Sequence, residues 1–164
     1  MQIEELNVVK AGKNYGWPDY EGTFVFPITS TEQKNVYHRK NASALAKDPS
    51  VMLDHDDMYA IASGFPYDGD TLPHLSGKYL FGDIVDGSLY AISQNWFKEN
   101  PFSPAPIENI TKVSLEQNGI SLSVSSLVNN ERADLRIAKD AMGDLYLMSK
   151  TDGSIWRVAS TIGL

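Results

Sequence analysis

The residue that first suggests chemistry in this chain is His55, set among carboxylates in Asp54-His55-Asp56-Asp57. A neighbouring carboxylate orients an imidazole and raises its basicity, so His55 is a candidate general base. Two other readings of the quartet stand beside that one. Its carboxylates could hold a calcium ion, which prefers oxygen ligands, although the regular spacing of an EF-hand loop is absent. Alternatively it is an acidic surface turn whose charges are solvated. A second candidate is the aromatic pair Tyr15 and Trp17 in Asn14-Tyr15-Gly16-Trp17-Pro18. Gly16 and Pro18 fix the backbone there, which suits packing inside the fold. The functional alternative is stacking on a planar cofactor or a sugar ring. His38, in the basic stretch Val36 to Lys40, reads as an exposed loop residue, and His74, between Pro73 and Leu75, as a turn residue.

The elements that must position these residues are strands. No long 3.6-residue period runs through the sequence. The best helical segment is Ala42 to Lys47, which stops before Pro49. Apolar and aromatic runs occupy 78–81, 88–92, 120–128, 144–148 and 154–158, and such residues fit a pleated, half-buried surface. Between them lie Asp68-Gly69, Asp86-Gly87, Asn118-Gly119 and Asp152-Gly153, pairs that tolerate the positive φ of tight hairpins. Pro101, Ser103, Pro104 and Pro106 mark a connection, and residues 27–50 read as a long polar excursion.

An internal repeat organises these strands. Residues 77–92 align with 143–158 without a gap, at an offset of 66. Gly77/Gly143, Asp86/Asp152, Gly87/Gly153 and Ser88/Ser154 coincide, and Leu89/Ile155, Tyr90/Trp156 and Ile92/Val158 match in character. A hairpin recurring at long period with an aromatic in a fixed place is the pattern of β-propeller blades. The expected fold is therefore all-β: a propeller fragment of two to three four-stranded antiparallel blades, residues 1–164 forming one partial domain. Tyr90 and Trp156 are expected in the core. A fainter echo, Gly12-Lys13 and Glu21-Gly22, lies 65 residues before Gly77-Lys78 and Asp86-Gly87. Propellers close with about 4–8 blades, so this chain is expected to be a piece of a longer array or part of a ring that a second copy completes as a homodimer.

Composition narrows the partners. The net charge of −7 disfavours nucleic acid and anionic membrane surfaces. The absence of cysteine excludes disulfides, thiolate metal sites and a cysteine nucleophile. No apolar run approaches the ~20 residues of a membrane-crossing helix. Met1-Gln2-Ile3-Glu4-Glu5 has neither the basic flank nor the apolar stretch of a signal peptide.

Four segments, in order, carry a family resemblance. They are Glu5 to Val9 with Gly12-Lys13-Asn14-Tyr15-Gly16-Trp17-Pro18 and Glu21-Gly22; Ala60 to Gly69; Leu72-Pro73 with Leu75 to Asp83; and Asp134 to Ile137 with Gly143 and Leu145 to Leu147. Together they resemble the C-terminal part of the glucose/sorbosone dehydrogenase family, six-bladed propellers of which many use pyrroloquinoline quinone (PQQ) with calcium. The resemblance implies an oxidoreductase acting on a sugar or alcohol hydroxyl, in the periplasm or outside the cell. In the family the catalytic histidine and the calcium-holding carbonyls come from earlier segments, so those roles pass to no residue here, and the chain alone is not expected to be competent.

What the resemblance does imply is that the stretch before Ala60 helps line the cofactor pocket, which would bring His55, Asp56 and Asp57 toward it. Quinone chemistry also needs cations to stabilise developing charge. The family places a lysine near the turn that here reads Tyr67-Asp68-Gly69-Asp70, and arginines in the segment that here retains Arg132. Acidic residues in that turn would repel an anionic cofactor. The alternative expectation is thus a non-catalytic propeller module, for binding or scaffolding, that self-assembles to close its ring.

Overall fold

The computed structural model describes residues 3–25, 37–38 and 46–160. Fourteen strands are found among them: β1 Ile3–Leu6, β2 Tyr20–Glu21, β3 Phe24–Val25, β4 Tyr37–His38, β5 Val51–Asp54, β6 Ile61–Pro66, β7 Lys78–Asp83, β8 Leu89–Ser93, β9 Thr111–Val113, β10 Leu115–Gln117, β11 Ile120–Leu122, β12 Leu135–Lys139, β13 Leu145–Ser149 and β14 Ile155–Arg157. Two short helices join them, α1 Gln94–Glu99 and α2 Val124–Leu127. The chain divides into two compact units, residues 1–58 with 96–106, and residues 59–95 with 107–164.

In the first unit β1 pairs antiparallel with β5, with Ile3 opposite Asp54 and Leu6 opposite Val51. Val51 and Leu53 are buried while Met52 and Asp54 are half-buried, the alternation of a one-sided strand. A second small sheet has the order β2-β3-β4. Part of the stretch 27–50 is therefore a strand rather than a loop, since β4 pairs with β3. Of the expected helix, residues 42–45 lie outside the described residues. Ala46 forms a parallel bridge with Asn14, and the Lys47 N–H donates to the Asn14 carbonyl at 2.8 Å.

The second unit holds a four-stranded antiparallel sheet, β6-β7-β8-β9, and a three-stranded one, β12-β13-β14. These are the blades that the repeat foretold, in two separate sheets, although among the described residues one of them has three strands. Their hairpins agree bond for bond. Asp86 accepts the Ser88 N–H at 2.7 Å and Ser88 Oγ at 2.7 Å; Asp152 accepts the Ser154 N–H at 2.9 Å and Ser154 Oγ at 2.8 Å. The Gly87 N–H reaches the Asp83 carbonyl as the Gly153 N–H reaches that of Ser149, both at 3.1 Å. Phe81 faces Tyr90 as Leu147 faces Trp156.

The apolar run 120–128 is not one strand. Ser123 ends it: the Ser123 hydroxyl accepts the Ser126 N–H while the Ser126 hydroxyl accepts the Ser123 N–H, a capping box that opens α2. Asn118-Gly119, at φ 56° and 79°, turns β10 into β11. The core of the unit gathers Tyr67, Leu80 and Leu89 with Leu135, Ile137, Leu145 and Leu147. Each fully buried leucine contributes roughly 1.5–3 kcal/mol. Gly82 lets Leu135 approach; a Cβ there would stand 2.6 Å from Leu135 Cδ2. Tyr90 is buried and Trp156 packs on the edge of the same cluster, as expected of the matched aromatics. Asp83 is buried, and its carboxylate accepts the Val85 N–H at 2.7 Å and the Tyr59 N–H at 2.8 Å.

Equivalent glycines sit in unequal surroundings, which yields a paired test. Gly87 and Gly153 have φ of 77° and 79°, but a Cβ on Gly87 would meet Val124 Cβ at 2.6 Å, whereas one on Gly153 meets nothing within 4 Å. Urea denaturation should show Gly153→Ala costing about 1–2 kcal/mol from backbone strain alone. Gly87→Ala should cost a further 1–3 kcal/mol or so from overpacking. Equal losses would refute this account of the hairpin.

Titration supplies a second test. Burial pushes the Tyr67 and Tyr79 phenols above their usual value. Unfolding frees them to ionise near their ordinary pKa, so stability should fall as pH rises past about 10. On the acid side, the Thr71 hydroxyl and the Arg157 guanidinium hold Asp144 below the usual carboxylate range. Its contribution is present above about pH 4 and lost as pH falls through the lower folded value. Asp144→Asn should flatten the acid limb of a stability–pH profile, and it should also soften the alkaline limb slightly, because the Asp144 charge helps to raise the Tyr67 phenol.

Candidate functional site

A polar cleft in the first unit lies where β1 meets the loop before β2. It has a volume of about 330 Å³ and is walled by Glu4, Glu5, Asn7, Tyr15, Trp17 and Glu21, with Ile3 and Tyr20. Trp17 is 76 % exposed, so the packing role expected of it is corrected. Gly16 and Pro18 hold the chain in a tight turn, with the Asp19 and Tyr20 N–H groups both donating to the Gly16 carbonyl at 2.9 Å. That turn carries the indole outward. Tyr15 is structural: its hydroxyl donates to the Val8 carbonyl at 2.9 Å and accepts the Lys10 N–H at 2.6 Å.

Two of the three carboxylates of the cleft, Glu5 and Glu21, are held by hydrogen bonds. Glu5 accepts the Gly22 N–H and, at 3.0 Å, Asn7 Nδ2. Glu21 accepts the Ile3 N–H at 3.1 Å. A carboxylate has about four lone-pair sites, so each retains capacity toward a ligand hydroxyl. His55 stands behind this wall, with Nε2 3.5 Å from Glu4 Oε1. That is ion-pair distance, but the pair lacks hydrogen-bond alignment. His55 therefore reaches the cleft through Glu4 and does not line it.

The rest of the quartet is a turn. Asp54 Oδ1 accepts the N–H groups of Asp56 and Asp57 at 2.9 and 3.3 Å, and the side chains of Asp56 and Asp57 are exposed. Arg132 is exposed in the second unit, where its Nε donates to Asp134 Oδ1 at 2.9 Å. The structure thus brings Tyr15 and Trp17 into one cleft and sets His55 at its back. Asp56 and Asp57 do not line it, and Arg132 belongs to the other unit. Sequence reasoning missed Glu4, Glu5 and Glu21. The available signal was the placing of Glu21 four residues after Trp17, with an acidic pair on the opening strand.

The glucose/sorbosone dehydrogenase family profile matches residues 1–157. The chain belongs to that family. Among curated proteins it is similar to the HIPL2 protein of Arabidopsis thaliana, 32 % identical over 90 residues, and to the HIPL1 protein of the same plant, 27 % identical over 94. Each match covers 54 % of this chain and 13 % of the relative, so the chain spans a small part of the curated relatives it matches.

Members of the family that use PQQ and calcium need cations and clustered oxygen ligands for that pair. Among the described residues no three His, Asp or Glu side chains group so as to hold a metal ion, the Asp54–Asp57 quartet included. Arg132 is engaged by Asp134 and Lys139 by Asp68. That ion pair, led by the Lys139 ammonium, holds Asp68 below the usual carboxylate range. The described residues on their own do not fit the quinone and its calcium.

The structural role of Tyr15 is open to a direct test. Tyr15→Phe removes one acceptor and one donor at the cleft wall and should lower unfolding free energy by about 1 kcal/mol. It should leave the ring in place, so any ligand affinity that depends on the aromatic face should be retained.

Proposed function

We propose that this chain contributes a carbohydrate-binding cleft to a glucose/sorbosone dehydrogenase-like protein that oxidises a sugar or alcohol hydroxyl, and that it does not perform the oxidation alone. The observation that carries this reading is the outward-facing Trp17 beside Glu4, Glu5 and Glu21 in one cleft. A sugar or polyol offers a C–H face that packs on an aromatic ring and hydroxyls that donate to carboxylates. The cleft supplies both and excludes anions by its charge. The order of the family motifs along the chain and the match across residues 1–157 support the wider assignment.

A second reading, a non-catalytic binding module of the same fold, is favoured by one specific observation: Arg132, the cation retained where the family places arginines, is already paired with Asp134.

Saturation-transfer NMR with glucose and sorbitol tests the cleft. Transfer should be seen at millimolar sugar and should weaken by about 3- to 10-fold in Trp17→Ala, the value of an aromatic contact of 0.5–1.5 kcal/mol. Identical binding by the variant, or no transfer to any polyol, would sink the proposal. Adding PQQ with calcium should leave the melting temperature unmoved, whereas a rise of several degrees would place a cofactor site in this chain and argue against the second reading.

A further inference from the structure

Behind the cleft of the first unit stands a titratable nitrogen whose bonding is incomplete. Part of the His55 ring is exposed, but Nε2 is shut off from water and, among the described residues, has no hydrogen-bond partner. Among those residues the carboxylate within ion-pair reach of Nε2 is that of Glu4, whose Oε1 is 3.5 Å away. The pairing of β1 with β5 brings the two together. It sets Glu4 opposite Leu53 and Ile3 opposite Asp54, the residue before the histidine.

The other charged groups nearby are turned to other tasks. Asp54 Oδ1, on the same turn, accepts the N–H groups of Asp56 and Asp57, whose own side chains are exposed. Across the cleft, Glu5 accepts the Gly22 N–H and Asn7 Nδ2, and Glu21 accepts the Ile3 N–H. Glu4 belongs both to the wall of the cleft and to the surroundings of the imidazole.

A neutral imidazole has one donor nitrogen and one acceptor nitrogen, whereas the cation donates from both. A charged donor buried without an acceptor is costly. Protonation therefore draws a Glu4 oxygen from 3.5 Å toward the roughly 2.8 Å of a charge-assisted bond. An oxygen held in that way is less open to a hydroxyl in the cleft.

We infer that His55 is a positioning residue that makes ligand binding in this cleft pH-dependent: its protonation ties Glu4 to the back of the wall and weakens the hold on a sugar or polyol. The inference rests on the reading of the cleft as a carbohydrate site.

Glucose and sorbitol are titrated into the isotope-labelled chain and followed at the Trp17 indole. Two conditions are compared, about pH 8 and about pH 5.5, near the ends of the range over which imidazole changes charge. The dissociation constant should be about 3- to 10-fold higher in acid, the equivalent of one hydrogen bond. The His55 ring resonances should move over the same interval as the affinity. His55→Gln has no charge to gain, so its dissociation constant should be equal under the two conditions. Equal affinity at both pH values in the unaltered chain, or an acid loss that His55→Gln retains, would overturn the inference and leave the carbohydrate site standing. Absence of binding under both conditions would remove the carbohydrate reading, and this inference with it.

Discussion

The second unit depends on how closely two sheets can approach. Leu135 sits over Gly82 so closely that a Cβ on the glycine would displace the end of the leucine side chain. That contact lets Leu80 and Leu89 share one apolar core with Ile137, Leu145 and Leu147. Close packing of this kind tolerates neither added nor missing methylenes, so small residues at the contact matter as much as large ones. The close fit of Gly87 under Val124 applies the same constraint at the end of the hairpin.

Polar groups are subordinated to that packing. Among the described residues the buried Asp83 carboxylate has no ion-pair partner. It satisfies the N–H of Val85 and of Tyr59, two donors that the end of β7 would otherwise leave stranded. Its work is structural, which is why an acidic residue in the heart of the unit gives no catalytic signal. The first unit differs. There Glu5 and Glu21 are also held by backbone N–H groups, but they stand at a surface beside an outward-turned indole. A carboxylate held in place while keeping lone pairs free is suited to recognising hydroxyls.

The hairpins were legible in the sequence because their determinants are local. Asp, Gly and Ser at fixed offsets dictate the turn whatever surrounds it, so 77–92 and 143–158 declared themselves as equivalents. What escaped depended on neighbours distant in the chain or on a single capping hydroxyl. The strand expected over 120–128 breaks because Ser123 satisfies a helix start better than a ladder. The helix α1 follows β8 directly, with Gln94 anchored to the carbonyls of Tyr67 and Lys78 at 3.3 and 3.1 Å, contacts that no local pattern announces. Trp17 looked like packing because aromatics beside Gly and Pro commonly are; its exposure is settled by the fold around it. His55 was singled out for the carboxylates next to it in sequence, yet the carboxylate that its Nε2 approaches, at 3.5 Å, is that of Glu4, brought there by the pairing of β1 with β5.

The hairpin bonds have an evolutionary corollary. Every atom that closes the turn, from Asp86 to Ser88 or from Asp152 to Ser154, lies within the hairpin itself. A gene segment encoding such a unit carries its own folding instructions and can be copied in tandem without compensating changes elsewhere. Only the faces that meet the next wedge then need to diverge. Modular inheritance of this sort lets a radial architecture grow by duplication and then specialise wedge by wedge.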